Sequence, residues 1–184
     1  MEAKVLDSIK DRWSPRAFGE RTIDESQVTI LLEAARWAPS SMNEQPWHYF
    51  YSFRGEAGFD NMLECLVPQN REWARKAAVL FLSVAKKSFR YNSKPNRHAL
   101  HDTGASNFAI AIQAASLGMQ AHQMGGFSME KTLEVFKLSP DEYEPVSFIA
   151  AGYPGKAEDL SEELKKRELA PRRRKSQQEI STKF

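Results

Sequence analysis

Apolar residues along this chain recur either every three to four positions or in unbroken runs, a pattern that predicts helices interleaved with a few buried strands. Val5, Ile9 and Trp13 lie at helical spacing, and Pro15 stops that helix because its ring removes a donor and clashes with the preceding turn. Asp24 with Gln27 reads as a capping box and Ile23 with Val28 as a hydrophobic staple, opening a helix striped by Val28, Leu31, Leu32 and Ala35. It runs out at Trp37-Ala38, since the residue before Pro39 is pushed out of the helical region. The aromatic run from Trp47 to Phe53 reads as a strand. Phe59, Met62, Leu63 and Leu66 place a helix over residues 56–66, followed by a turn at Val67-Pro68-Gln69-Asn70 that leads to Trp73. Ala77 to Ala85 is continuously apolar, as in a central strand buried on both faces.

Residues 86–100 are polar and basic and read as a mobile surface loop able to act as a lid. His101 to Gly118 is the longest predicted helix. Its Ala105, Ala109, Ala111, Ala114 and Ala115 permit close backbone approach, and its apolar character on several faces implies burial or a subunit interface. Ser128 caps a helix from Met129 to Leu138, and Val146 to Tyr153 forms a third strand. Beyond Pro154-Gly155 the charged tail has too little apolar surface to fold by itself.

The 184 residues suit one domain, 41% hydrophobic and 27% charged, with a net charge of +2 that disfavours bulk nucleic-acid binding. The positive surplus is local, with seven cations between Lys165 and Lys175. A single cysteine, Cys65, excludes an intrachain disulfide and fits a reducing compartment, so the expected location is the cytoplasm; no apolar run suggests a membrane span. Cys65 itself reads as a packing residue, and His48 as packed or hydrogen-bonded. His98 and His101 lack the carboxylates that a zinc site would need.

Two basic clusters carry the candidate chemistry. Arg12-Trp13-Ser14-Pro15-Arg16 and Arg172-Arg173-Arg174-Lys175 supply guanidinium forks and a hydroxyl, donors that suit a phosphate monoester and an electron-rich ring oxygen. The alternative is two solvated basic patches, which a run such as Arg172 to Lys175, taken alone, most often is. The segment Pro39 to Trp47 is dense in hydroxyls and amides that could bond a heteroaromatic ring without desolvating a charge, though composition alone also fits a plain turn. Gly125 and Gly126 allow close backbone approach to a ligand or simply a turn, and Asp102 serves its helix dipole or holds a neighbour. Dinucleotide, P-loop, elbow-serine and zinc-protease signatures are all absent.

Taken together, Arg12 to Arg16, Pro39-Ser40-Ser41-Met42-Asn43-Glu44-Gln45-Pro46-Trp47, Asn70 before Trp73, the alanine-rich helix with Asp102, Met124-Gly125-Gly126-Phe127, Gly152-Tyr153 and Arg172 to Arg174 resemble the nitroreductase family of FMN-dependent enzymes, in order and spacing. The resemblance implies an α+β fold with a central mixed β-sheet flanked by helices. It also implies an intertwined homodimer with FMN at the subunit interface, and an arm over residues 160–184 packing on the partner subunit.

By the same resemblance, Arg12, Ser14, Arg172 and Arg174 match the phosphate and ribityl contacts, with Trp13 contributing its backbone. Arg16 and Asn70 match groups at the pyrimidine edge; Ser40, Ser41, Asn43 and Gln45 match contacts made from the partner subunit; Gly125 and Gly126 match the backbone beside flavin N5. The position before that glycine, often acidic in the family, falls on Met124 or Gly125. The implied reaction is ping-pong hydride transfer from NADH or NADPH to an electron-poor acceptor such as a nitroaromatic or quinone, with no side-chain catalyst. Another flavin reaction on the same fold (dehydrogenation, dehalogenation or flavin breakdown) is the alternative, and a polyanion or partner binder using the basic tail comes from a different class.

Overall fold

The computed structural model of the protein describes residues 4–184. Four strands, β1 (Trp47–Phe53), β2 (Val79–Lys86), β3 (Gln120–Met124) and β4 (Tyr143–Gly152), form one sheet in the order β1-β2-β4-β3. Where a mixed sheet was expected, every pairing among the described residues is antiparallel. Between β1 and β2, two short helices, α3 (Ala57–Cys65) and α4 (Pro68–Ala74), return the chain to the sheet end it left, so β2 enters in the opposite direction.

The apolar run read as a doubly buried strand is β2, which lies between β1 and β4 with Val79 through Ala85 buried. Its alternate residues feed two cores, because successive side chains of a strand point to opposite faces. Leu80, Leu82 and Val84 pack with Phe59, Met62, Trp73, Phe148 and Leu164. Val79 and Phe81 pack with Val28, Leu31, Ile110, Ala114 and Ile149. The second layer is built by α2 (Glu25–Arg36) and α5 (Ala99–Ser116). The Asp24 capping box on α2 is present, with the Asp24 carboxylate accepting from Gln27 N at 3.1 Å and Gln27 Oε1 accepting from Asp24 N at 3.1 Å.

Several boundaries differ from the sequence pattern. The first helix, α1, covers only Asp7–Asp11, and Arg12 is already extended. The Pro68 turn is helix α4, with proline at its start, where the missing N–H costs nothing. The 120–124 segment, left without a strand assignment by the sequence pattern, is the edge strand β3. After it comes α6 (Met129–Val135), capped by Ser128 as expected. In the tail, α7 (Glu162–Glu168) buries only Leu164 and Glu168, α8 (Gln177–Ile180) buries nothing, and residues 169–184 are exposed.

Candidate active site

From Arg12 onward the backbone leaves α1 and crosses beneath the sheet edge, and long-range side chains take up its polar groups. Trp13 N donates to Gln120 Oε1 at 3.0 Å, and His122 Nδ1 donates to Pro15 O at 2.8 Å. Gln120 and His122 are two apart on β3, which puts both on one face of the strand, toward this segment. Arg16 N and Ala17 N donate to the two carboxylate oxygens of Glu168, at 2.8 and 3.2 Å. With the backbone fixed and Pro15, Ala17 and Phe18 buried, the half-buried Arg12 and Arg16 and the exposed Ser14 remain to meet a ligand. Gln120, His122 and Glu168 were not among the candidate residues. Their only sequence signal is a polar residue where burial would favour an apolar one.

The two basic clusters do converge. Arg172 Nη1 donates to Lys10 O at 2.6 Å and to Arg12 O at 3.0 Å, across 162 and 160 residues of chain. Arg12 Nη1 reaches Ser14 Oγ at 3.4 Å. Burial, then Arg174 and then Arg172, hold the Arg12 guanidinium below its ordinary pKa. Arg172 and Arg174 line an open recess of about 430 Å³ with Ile9 and Lys10. Among the described residues, no carboxylate forms an ion pair with Arg12, Arg172 or Arg174. Three guanidiniums with no counter-charge form a site that an anion stabilises.

Arg16 lines a separate recess of about 470 Å³, sharing no lining residue with the first, with Phe18, Glu20, Lys76 and Asp159. Burial and Arg167 lower its pKa, partly offset by Glu168. Asn70 Nδ2 donates to Gly126 O at 3.1 Å, tying α4 to the end of β3. A Cβ on Gly126 would lie 2.8 Å from Asn70 Nδ2 and 3.0 Å from Val67 Cγ2, so a larger residue there would push Asn70 away from the Gly126 carbonyl. At Gly125 a Cβ would meet nothing within 4 Å, and its φ is not positive, so neither packing nor backbone conformation demands glycine. The Met124 side chain is buried in the core, leaving only its backbone available.

The segment 39–47 carries backbone strain. Met42, Asn43 and Gln45 all adopt left-handed φ, at 55°, 53° and 50°, each costing on the order of 1 kcal/mol in a non-glycine residue. Three clamps hold it. Asp102 Oδ2, buried on the first turn of α5, accepts Ser41 N at 2.9 Å, so this acid holds a neighbour, as one reading of it allowed. Ser40 Oγ accepts Gln45 N at 2.9 Å. The buried Glu44 carboxylate accepts from Arg90 N at 2.9 Å and Arg90 Nε at 3.2 Å. The last contact lies in the segment read as a mobile surface loop: residues 88–95 close a tight hairpin through Phe89 N to Lys94 O at 2.9 Å, and Arg90 ties it to Glu44.

Ser40, Ser41, Asn43 and Gln45 therefore sit at the N-terminal end of α5. The arginine cluster follows α1, whose Ile9 shares a recess with Phe108 and Ile112 of α5, and Trp13 bonds Gln120 just past the end of that helix. From Asp102 to Ser116 the helix rises roughly 20 Å.

The sequence model of the nitroreductase family matches residues 9–64 and 61–153, most of the chain. This chain belongs to the nitroreductase family. A relative from Methanothermobacter thermautotrophicus, provisionally named an NADH dehydrogenase/NAD(P)H nitroreductase, is 29% identical over 157 residues, covering 82% of this chain and 77% of its own. A crystal structure described as an oxidoreductase containing FMN is 31% identical with a TM-score of 0.92, covering 99% of this chain and 92% of that one. An FMN complex from Exiguobacterium sibiricum, at 19% identity, shares the fold with a TM-score of 0.81 over 100% of this chain and 98% of its own. Among the described residues of this nitroreductase-family chain, no helix is long and apolar enough to cross a membrane.

His122 gives this family member a pH dependence. Burial, outweighing the Pro15 carbonyl contact, pushes its pKa down to about 4 from an ordinary 6.5. It packs on Trp73 with ring centroids 4.5 Å apart, and a carbonyl can only accept, so Nδ1 carries the proton. The unfolded chain then binds this proton before the folded one does. The contribution is whole above about pH 6.5 and falls away toward pH 4, by roughly 3 kcal/mol in all. Melting curves between pH 7 and 4 should show this loss, reduced in His122→Gln; equal slopes in the two proteins would rule the assignment out.

Proposed function

We propose that this chain is an FMN-dependent oxidoreductase that takes hydride from NADH or NADPH and delivers it to an electron-poor acceptor such as a nitroaromatic or quinone. The observation that carries the reading is the convergence of Arg12, Arg172 and Arg174 with no carboxylate paired to them among the described residues. A phosphate monoester supplies the two negative charges and the oxygen acceptors that this donor set lacks. Gly125 supports it independently, because a glycine that its own fold does not require fits a planar group lying against the backbone.

Within this reading Arg12, Ser14, Arg172 and Arg174 hold the phosphate and ribityl chain, and the Trp13 peptide is kept in place by Gln120. Arg16 and Asn70 face the pyrimidine edge, where a guanidinium favours negative charge. Gly125 leaves room beside the ring, Gly126 contributes its backbone and lets Asn70 approach, and Met124 contributes only backbone. When bound, FMN supplies the hydride-accepting and hydride-donating centre, which is why neither buried Cys65 nor any histidine is needed as a nucleophile or base. Both relatives' names, one for NAD(P)H and one for FMN, are in keeping with it.

The second copy completes the site. Ser40, Ser41, Asn43 and Gln45, held near the N-terminal end of α5, serve the partner's flavin, as the family resemblance implies. The surface between the two ends is apolar: Ile9, Trp37, Pro39, Phe108 and Ile112 line an open recess of about 590 Å³, and Trp37 is 76% exposed. Such a patch suits an isologous interface in a homodimer. The exposed segment 169–184, ending in Ile180 and Phe184, forms the arm over 160–184 that packs on the partner subunit.

The purified protein should be yellow, elute as a dimer, and lose its visible flavin absorbance on anaerobic addition of NADH or NADPH, with the colour restored by a nitroaromatic or quinone. A colourless protein that takes up no added FMN would end this proposal. Bound FMN that bleaches but passes no electrons to these acceptors would favour another flavin reaction.

A further inference from the structure

Glu168 ends α7 at only 6% exposure, yet among the described residues no cationic side chain pairs with it. A buried carboxylate is costly to desolvate unless several donors meet it. Here the donors are two backbone amides, Arg16 N on Oε2 at 2.8 Å and Ala17 N on Oε1 at 3.2 Å. Those amides flank a single α-carbon, that of Arg16. Holding both fixes the peptide planes on either side of it, and with them the direction in which the Arg16 side chain leaves the backbone. Leu164, four residues earlier on the same face of α7, is buried in the core and seats the helix. Arg172 and Arg174 follow Glu168 by four and six residues, so docking of α7 both aims Arg16 and delivers the phosphate arginines.

We infer that Glu168 is a positioning residue for Arg16, setting how strongly the site prefers reduced over oxidised FMN. This rests on the proposed flavin function. Both carboxylate oxygens are taken by the two amides, so Glu168 acts through the direction it gives Arg16, whose guanidinium is worth most where the reduced ring carries negative charge.

The test is the ratio of dissociation constants for oxidised FMN and for dithionite-reduced FMN, measured anaerobically on the purified protein. Glu168→Asp keeps the charge but withdraws it by one methylene, so the two amides cannot both be reached. The preference for reduced FMN should fall roughly fivefold or more, and the same substitution in an Arg16→Gln background should leave the ratio unchanged. A ratio unaffected by Glu168→Asp, or a shift that persists without Arg16, overturns the inference, because a purely structural role lowers thermal stability without depending on Arg16.

Amide hydrogen exchange on the FMN-free protein supplies a second measurement. Arg16 and Ala17 should be protected in the parent and exchange faster in the isosteric Glu168→Gln; unchanged protection overturns the grip itself. If the parent takes up no FMN, the flavin function fails, while the exchange result still decides whether Glu168 holds these amides.

Discussion

Arg174→Ala is expected to weaken FMN binding by about 10- to 100-fold while leaving the FMN-free protein as stable as before or slightly more so. The two halves of this result come from one cause. Arg12, Arg172 and Arg174 repel one another, and no carboxylate offsets them among the described residues. Removing one relieves the free protein but takes a charge-assisted bond from a bound phosphate, worth about 1.5–3 kcal/mol, where 1.4 kcal/mol is a factor of ten. Because Arg174 is exposed, salt screens part of this, and the lower end applies at physiological ionic strength. Arg174→Lys should recover only part of the affinity, since a point charge cannot grip two phosphate oxygens as a planar fork does. Titration of the FMN-free protein with FMN, beside a thermal melt, gives both quantities. Affinity equal to that of the parent would remove Arg174 from the phosphate site. A fall in affinity matched by a fall in melting temperature would recast it as structural.

The second large effect is expected at Asn107, which lines none of the recesses described above. Asn107 is 1% exposed on α5 and bonds three strands at once: Oδ1 accepts Tyr49 Oη at 2.8 Å, and Nδ2 donates to Ser83 Oγ at 3.0 Å and Ser147 Oγ at 3.1 Å. Burial drives the Tyr49 hydroxyl's pKa upward, so it stays protonated and remains a donor. Asn107→Ala opens a cavity and takes a partner from each of these buried groups, and should cost about 3 kcal/mol. In a chain of this size that is roughly 6–12 °C in melting temperature. Urea unfolding of the FMN-free protein measures it, and a loss under 1 kcal/mol would show that the hydroxyls find other partners. The network also fixes α5 against the sheet, and α5 carries Asp102, which holds Ser41 in the strained 40–45 segment. FMN affinity should therefore fall as well, more than at a core site of equal stability cost such as Phe59→Ala.

Much of this was legible along the chain, for reasons that differ by residue. The Asp24 capping box is written within four residues, and β2 declares itself because burial on both faces leaves no room for a polar position other than Ser83. The arginine clusters could be suspected of sharing a ligand because few stretches concentrate so many fixed donors. The misses share a different cause. Strand β3, Gln-Ala-His-Gln-Met, has little intrinsic strand preference and is extended because β4 offers it a ladder from Gly152 to Phe148. The 86–100 segment reads as loose because the acid that latches Arg90, Glu44, stands 46 residues away.

What the amino-acid order settled by itself is whatever neighbouring residues decide between them: helix starts and stops, the doubly buried strand, and the inventory of cations without matching acids. The family followed from those features standing in order. Only the folded chain decided which distant group meets which backbone amide, as Glu168 meets Arg16 across 152 residues and Arg172 reaches Lys10 across 162. Such contacts leave no periodic trace, because a buried polar group is satisfied by whatever donor the packing of apolar faces happens to bring within 3 Å or so.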